Sequence, residues 1–476
     1  MRSPVILRFV GRFLQIFSLM LVLPLFVAVY YSGNLYVMSG FFVSSVAAAV
    51  LGTAVYVSGD DGDPTVGEAM FSTVLGWVLA IMFGSIPFLV EMSLVNALFE
   101  SAAGITTTGI SMVLRPGSLP SSLLFWRSFM QWIGGLGILT FFIAVIRESG
   151  GVTRRLYSAE AHKTDSGSIR PSLTKSISDL WRVYGFLTVV FTGVYIGLGM
   201  SGFNALLHSF SAISTGGFST VSGSLGAFSQ PIQAATVLFM FIGGVNFVLL
   251  YRFLQSEFTP LWKSSEFRLY TKIFLLVSGF IALEMLLRGA AANQALLDSL
   301  FTSAAFISST GYATTSAMAF SSALQVILIG VMFVGGSLGS TSGGFKVFRL
   351  KAMIELMRTR IRSYRLPESA VNKVKIDGEI VEDSTMKTIS TLFFSWVVAI
   401  SATAVATLML ENVSFIGAFS GAVSAVGNMG PVYIEGAKMA AMSQPTKIVW
   451  IIAMLAGRLE MIPLLAIFNS ELLKDS

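Results

Sequence analysis

Four short clusters of glycine and hydroxyl residues carry the chemistry open to this sequence. They align on a β-branched residue, three further residues and a glycine: Ile105-Thr106-Thr107-Thr108-Gly109, Ile213-Ser214-Thr215-Gly216-Gly217, Ile307-Ser308-Ser309-Thr310-Gly311 and Val426-Gly427-Asn428-Met429-Gly430. The closing glycines are 108, 94 and 119 residues apart. In the first two copies the register extends upstream, where Ala97-Leu-Phe-Glu-Ser101 matches Ala205-Leu-Leu-His-Ser209. Glycine permits unusual backbone angles and close approach. Four such loops around one axis can therefore aim carbonyl oxygens inward and replace the water shell of a cation.

The elements that would position these loops are apolar. Of 476 residues 54% are hydrophobic and only 12% charged, with Phe counted 39 times, whereas a soluble domain carries about 25% charge. A bilayer crossing needs ~20 apolar residues. Ten such stretches occur, near 9–31, 35–57, 69–91, 121–146, 181–200, 231–251, 270–287, 321–345, 388–410 and 446–468. Each glycine cluster follows an apolar segment too short to cross, the length of a re-entrant helix. Non-helical backbone at membrane depth is tolerated only where it is buried in protein or lines a water-filled cavity, and four copies imply one central pore. The expected fold is an all-α polytopic membrane protein. Two N-terminal helices (1–66) precede four repeats of span, pore helix, filter loop and span, at 67–150, 151–260, 261–380 and 381–476, around a pseudo-fourfold axis.

Ten spans put both termini on one side. That side holds 25 of the 31 Lys and Arg residues, which by the positive-inside rule makes it cytoplasmic. The connector 58–68 is acidic, with Asp60, Asp61, Asp63 and Glu68, but acidic residues contribute little to that rule. The first span is too long for the apolar core of a signal peptide and another span follows it at once. The net charge of +6 lies in cytoplasmic loops, so no nucleic-acid partner is expected. With no cysteine and two histidines, His162 and His208, thiol chemistry and ordinary zinc sites are excluded. No nucleophile–base pair or paired carboxylates suggest an enzyme. No span repeats arginine as a voltage sensor does.

At these residues the chain closely resembles the Trk/Ktr/HKT superfamily of potassium transporters, and within it the bacterial TrkH family. Phe99-Glu-Ser-Ala-Ala-Gly-Ile-Thr-Thr-Thr-Gly109, Trp126-Arg-Ser-Phe-Met-Gln-Trp-Ile-Gly-Gly135, Gly335 to Lys346 and Gly457-Arg-Leu-Glu460 are similar to that family's diagnostic stretches. The resemblance implies K⁺ as the transported ion, bound at the four loops, and glycine at all four aligned positions implies K⁺ rather than Na⁺ preference. It also implies a homodimer in the bacterial inner membrane, and a cytosolic nucleotide-binding Trk regulatory subunit that docks on the basic connectors 147–182 and 346–387. No nucleotide is expected on this chain itself. Ser337-Leu338 and Tyr312 depart from the family pattern at positions that would affect gating.

The eighth span is interrupted by a run containing Gly335, Gly336, Gly339, Gly343 and Gly344, too rich in glycine for plain helix at ~1 kcal/mol each relative to alanine. By resemblance it is an intramembrane gate below the filter. It is no Walker loop, because Phe345 separates glycine from Lys346 and Val347 stands where Ser or Thr is needed. Lys346 reads as a basic residue at the cytoplasmic end, lying by resemblance close to the permeation path. Arg458 reads as the only basic residue well inside a span, and intramembrane charges are functional by default. The resemblance projects it into the cavity beneath the filter, where it would oppose a cation ~10 Å away by roughly 1.7 kcal/mol at an effective dielectric of ~20. Glu100 and Asp298 stand in pore helices, either as sources of negative potential or as packing residues. His208 reads as structural, and Glu284 with Arg288 as a local i, i+4 pair. A symporter coupling K⁺ to H⁺ or Na⁺ on the same fold is the alternative function, followed by a non-conducting membrane scaffold.

Overall fold

The structure, a computed structural model, describes residues 3–31, 34–62, 64–148, 173–365, 373–461 and 464. Helices α1 (Ser3–Tyr31) and α2 (Leu35–Val57) pair closely because Gly11 and Gly52 remove side chains from the contact. A β-carbon on Gly52 would lie 2.8 Å from Leu14 Cβ, and one on Gly11 would overlap the Tyr56 backbone. The acidic connector after α2 folds back on α1, where Arg8 Nε donates to Asp61 at 2.9 Å.

Four units follow. The first is α3 (Val66–Ser85), the short α4 (Leu94–Ile105) and α5 (Ser121–Glu148). The second is α6 (Leu173–Gly197), the short α7 (Gly202–Ile213), α8 (Gln230–Gly243) and α9 (Phe247–Leu254). After α10 (Thr259–Lys263) comes the third: α11 (Ser265–Leu287), the short α12 (Ala292–Ile307), α13 (Ser322–Val334) and α14 (Val347–Ser363). The fourth is α15 (Asp383–Leu410), the short α16 (Phe415–Gly427), α17 (Gly436–Ala440) and α18 (Gln444–Arg458). Between α14 and α15, β1 (Lys375–Ile376) and β2 (Glu379–Ile380) form a two-residue antiparallel hairpin. Among the described residues it is the one departure from an all-α chain.

The units are arranged as a ring. The second long helix of each packs on the short helix of the next: α5 on α7, α8 on α12, α13 on α16, and α18 back on α4. Large apolar side chains cover both the inside and the outside. Trp126 and Trp450 are fully buried, whereas Phe26, Val189, Leu276 and Val398 are more than half exposed along their helices. Such an apolar exterior on a chain this hydrophobic is a lipid-facing surface. The protein is a multi-pass membrane protein.

Ten uninterrupted spans are not what the chain builds. Among the described residues six helices are long and apolar enough to cross a bilayer unaided. The expected sixth span, 231–251, stops at Gly243 and turns by 109° into α9. Gly244 allows close approach there, and Asn246 starts the new helix by accepting from the amides of Val248 (2.8 Å) and Leu249. The eighth span breaks at Gly335, as the glycine run predicts. The tenth ends as helix at Arg458, and most of its expected remainder, like most of the connector 147–182, lies outside the described residues.

Replacing Gly52 by leucine should overpack the α1–α2 contact at a cost of about 1–3 kcal/mol. We expect a lower thermal midpoint in detergent for Gly52→Leu. No comparable drop is expected for Gly279→Leu, where nothing lies within 4 Å of the added carbon.

Candidate functional site

Each short helix ends at the β-branched residue of its cluster or one residue beyond. Its C-terminal, partially negative end therefore faces the loops. The backbone then reverses in the same way four times. The third cluster position is left-handed in every copy, at Thr107 (φ 56°), Thr215 (52°), Ser309 (60°) and Asn428 (51°). The fifth is positive again, at Gly109 (77°), Gly217 (78°), Gly311 (72°) and Gly430 (96°). Left-handed geometry costs a non-glycine residue roughly 1–2 kcal/mol, so four copies of it need strong support from their surroundings.

That support comes from the next repeat. A β-carbon on Gly109 would overlap the carbonyl oxygen of Gly216, and one on Gly217 that of Thr310. One on Gly311 would sit 2.8 Å from the Met429 oxygen, and one on Gly430 3.1 Å from that of Thr108. Each fifth-position glycine thus abuts the fourth-position carbonyl of the following loop, and the fourth loop closes on the first. Hydroxyls at the loop bases pair internally, Thr106 with Thr108 and Ser308 with Thr310, both at 2.7 Å. Asn428 Nδ2 donates to Thr108 Oγ1 (2.9 Å) and to the Met454 carbonyl (2.8 Å), joining loops four and one. Tyr312 donates from its hydroxyl to the carbonyls of His208 (3.2 Å) and Phe218 (3.3 Å), which braces loop two.

Residues 335–346 cross directly beneath the loops. Thr341 Oγ1 donates to the carbonyls of Ile213 (2.8 Å) and Gly243 (3.2 Å). The Gly343 amide donates to Ser309 Oγ (2.6 Å), and that of Gly344 to the Gly427 carbonyl (2.8 Å). The segment thereby touches repeats two, three and four from below. Gly343 is required because a β-carbon would overlap the Gly427 oxygen. The 109° break in repeat two is clipped to the same segment, with Ser337 N donating to Gly244 O (2.9 Å) and Phe247 N to Gly339 O (3.0 Å). Glu266 accepts from the Leu338 amide at 2.6 Å.

Arg458 completes the crossing. Its side chain is 2% exposed and donates to the carbonyls of Gly134 (2.9 Å) in repeat one and Thr341 (3.2 Å) in the crossing segment. It occupies the last residue of α18, so it lies at a helix end beneath the loops rather than well within a helix. Glu460, two residues on, pairs with Arg349. Lys346 is also not a simple cytoplasmic-end residue. It is buried with a positive φ (83°), and its ammonium donates to the Ser342 carbonyl.

The carboxylate of Glu100 does not stand free beside the loops. Arg127 Nε meets it at 2.7 Å, and Ser111 and the Met112 amide also donate to it. Arg127 is therefore a further deeply buried basic residue besides Arg458 and Lys346, and its partner was readable as an intramembrane acid. Asp298 accepts from Thr314 Oγ1 at 2.8 Å. His208 is buried, with Nδ1 at 2.8 Å from the Asn204 carbonyl and Nε2 at 3.1 Å from Ser219 Oγ, as a structural histidine should be. Glu284 and Arg288 pair at 2.6 Å. Sequence reading missed Gln131, Glu266 and the break at Gly244–Asn246. For the last, the Gly243-Gly244 doublet followed by an asparagine suited to start a helix was the available signal.

The comparisons with known proteins agree with this geometry. The family model of TrkH, described as a cation transport protein, matches residues 38–476. The Trk system potassium uptake protein TrkH of Salmonella typhimurium is 29% identical over 477 residues, covering 98% of each chain. TrkI of Halomonas elongata, also a Trk system potassium uptake protein, is 31% identical over 83% of this chain and 82% of its own. The crystal structure of the potassium transporter TrkH from Vibrio parahaemolyticus superimposes with a TM-score of 0.88 at 28% identity, covering 99% of both chains.

Arg458→Ala should loosen the crossing segment, since hydrogen bonds to a charged group contribute about 1.5–3 kcal/mol each. In hydrogen-exchange mass spectrometry we expect amides within 336–344 to exchange at least ~10-fold faster, because 1.4 kcal/mol is a factor of ten. Exchange in α4 should be unchanged.

Proposed function

The chain belongs to the TrkH family of cation transport proteins, and from that membership we propose that it takes up K⁺ through the ring of four loops. The observation that supports this best is the cyclic closure of the loops, each fifth-position glycine lying against the next loop's fourth-position carbonyl. Sixteen residues form the ring: Thr106–Gly109, Ser214–Gly217, Ser308–Gly311 and Gly427–Gly430. Backbone carbonyls there substitute for the hydration shell of a K⁺ ion. Four helix C-termini pointing at the same place add negative potential. Together they offset the cost of dehydrating the ion.

Gly335–Lys346 acts as the gate in this reading, and Arg458 is its latch. With Thr341 buried beneath loop two and Gly343 bonded to loop three, the crossing segment fills the path that a cation leaving the ring would take. Opening then requires the Gly134 and Thr341 carbonyls to release the guanidinium. α14 continues directly from the crossing segment and carries exposed Arg358, Arg360 and Arg362. A cytosolic nucleotide-binding regulatory subunit drawn to this basic helix would pull on the gate through Lys346 and Val347. We place the chain in the bacterial inner membrane as a homodimer, with both termini cytoplasmic. K⁺ is the cargo, and any nucleotide acts through the partner.

Purified protein in liposomes should pass K⁺ and Rb⁺ in preference to Na⁺ and Li⁺. Gly311→Ser should reduce that preference several-fold, because a side chain at φ 72° is strained and meets the Met429 oxygen. Unaltered preference in this variant would refute the filter assignment. Arg458→Ala should raise K⁺ flux about tenfold at equal protein. Unchanged flux would remove Arg458 from gating.

A further inference from the structure

The four loops are equivalent in backbone but not in what stands behind them. Gly134, Gly243 and Gly457 mark equivalent positions on α5, α8 and α18, since each brings its helix against the carboxyl end of the short helix in its own repeat. Three residues earlier stand Gln131, Met240 and Met454, all fully buried. Only the first is polar. Gln131 Nε2 donates to the Gly216 carbonyl at 2.7 Å, and its Oε1 accepts from the Phe218 amide at 3.2 Å. One side chain thus holds both sides of the peptide run through Gly217.

Gly216 is the fourth position of loop two, the position whose carbonyl meets the neighbouring glycine all round the ring. Loop two carries glycine there because a β-carbon would overlap the carboxamide of Gln131. The doubled Gly216-Gly217 is therefore the counterpart of Gln131 rather than spare flexibility.

One helical turn earlier, Arg127 faces the same side of α5. Its guanidinium donates to the Ser219 carbonyl (3.1 Å) and to Ser111 Oγ (3.0 Å), and lies 4.1 Å from the centre of the Phe218 ring. Glu100 neutralises it and holds the Met112 amide (2.8 Å) just beyond loop one. Buried pairs of this kind are weak sources of stability but good sources of fixed geometry. The bracket places no net charge behind the ring, and it ties the exits of loops one and two to one rigid helix.

We propose that Gln131, with Arg127 and Glu100 fixing the residues that follow in the same loop, is a specificity-determining positioning residue: by holding the Gly216 carbonyl it sets the shape of the ring at its fourth position. This rests on the reading of the loops as a K⁺ filter. The Gly216 oxygen already accepts one strong hydrogen bond, so it is less free than its counterparts on Thr108, Thr310 and Met429 to move inward around a smaller ion. Discrimination against Na⁺ depends on that stiffness in one quadrant.

The test replaces Gln131 by methionine, the residue at the equivalent position on α8 and α18. K⁺ and Na⁺ fluxes of the full-length protein in liposomes are compared with those of the unaltered chain, together with the thermal midpoint in detergent in each salt. We expect the K⁺/Na⁺ flux ratio to fall at least fivefold and K⁺ to lose its advantage over Na⁺ in raising the midpoint. A ratio within twofold of the unaltered chain, even with a lower midpoint or lower total flux, would make Gln131 a packing residue and overturn the proposal. If Gln131→Met does not assemble, Arg127→Lys decides by the same ratio, because lysine keeps the charge opposite Glu100 but cannot also reach Ser219 and Ser111 in a fork. An unaltered chain with no K⁺ preference would overturn the filter reading and this inference together, whereas a selective unaltered chain beside a selective Gln131→Met rejects this inference alone.

Discussion

A backbone that leaves its helix inside a bilayer has no water to satisfy it, and every amide and carbonyl it frees must find a partner in the protein. Among the described residues this chain does so at the four loops, the segment 335–346 and the break at Gly244–Asn246. They satisfy one another. The Gly244 carbonyl freed by one break accepts from Ser337 in another, the Gly427 carbonyl at the end of α16 accepts from Gly344, and the Ile213 carbonyl accepts from Thr341. The irregular parts of the molecule therefore form one connected core inside a shell of regular helices.

Mutual satisfaction explains the glycines. Where a backbone meets the carboxyl end of a short helix, no β-carbon fits, as at Gly343 against Gly427, Gly457 against Val426 and Gly134 against Ile105. Polar side chains also reach backbone carbonyls across repeat boundaries. Arg458 and Gln131 are such cases, each a polar group on a second helix reaching a carbonyl in a different repeat. The crossing segment also links two properties often treated apart, since the contacts that block the path are those that satisfy the undersides of the loops.

Much of this was legible before any coordinates. The five-residue run from a β-branched residue to glycine located all four loops, because it reflects a local reversal that each repeat performs within its own residues. The glycine run at 335–344 announced its break for the same reason. Contacts between residues far apart in sequence were not legible. Arg127 sits near the outer end of an apolar stretch and looks interfacial until Glu100, 27 residues away, is seen 2.7 Å from it. Gln131 looks like an unremarkable polar residue in a helix, since nothing local reveals Gly216 as its partner. The bend at Gly244 was hidden because hydropathy averages over a break of three residues.

The order of the loop contacts has a direction: one rests on two, two on three, three on four and four on one. The ring therefore has a handedness that its fourfold appearance conceals, and every quadrant is at once a support and a load. A change in one loop bears first on the loop that leans against it, not on the helix preceding it in its own repeat. Compensating changes should accordingly arise one step around the circle, between segments far apart in sequence. Duplicated units bound in this way cannot drift independently, although one chain gives each of them freedom to differ.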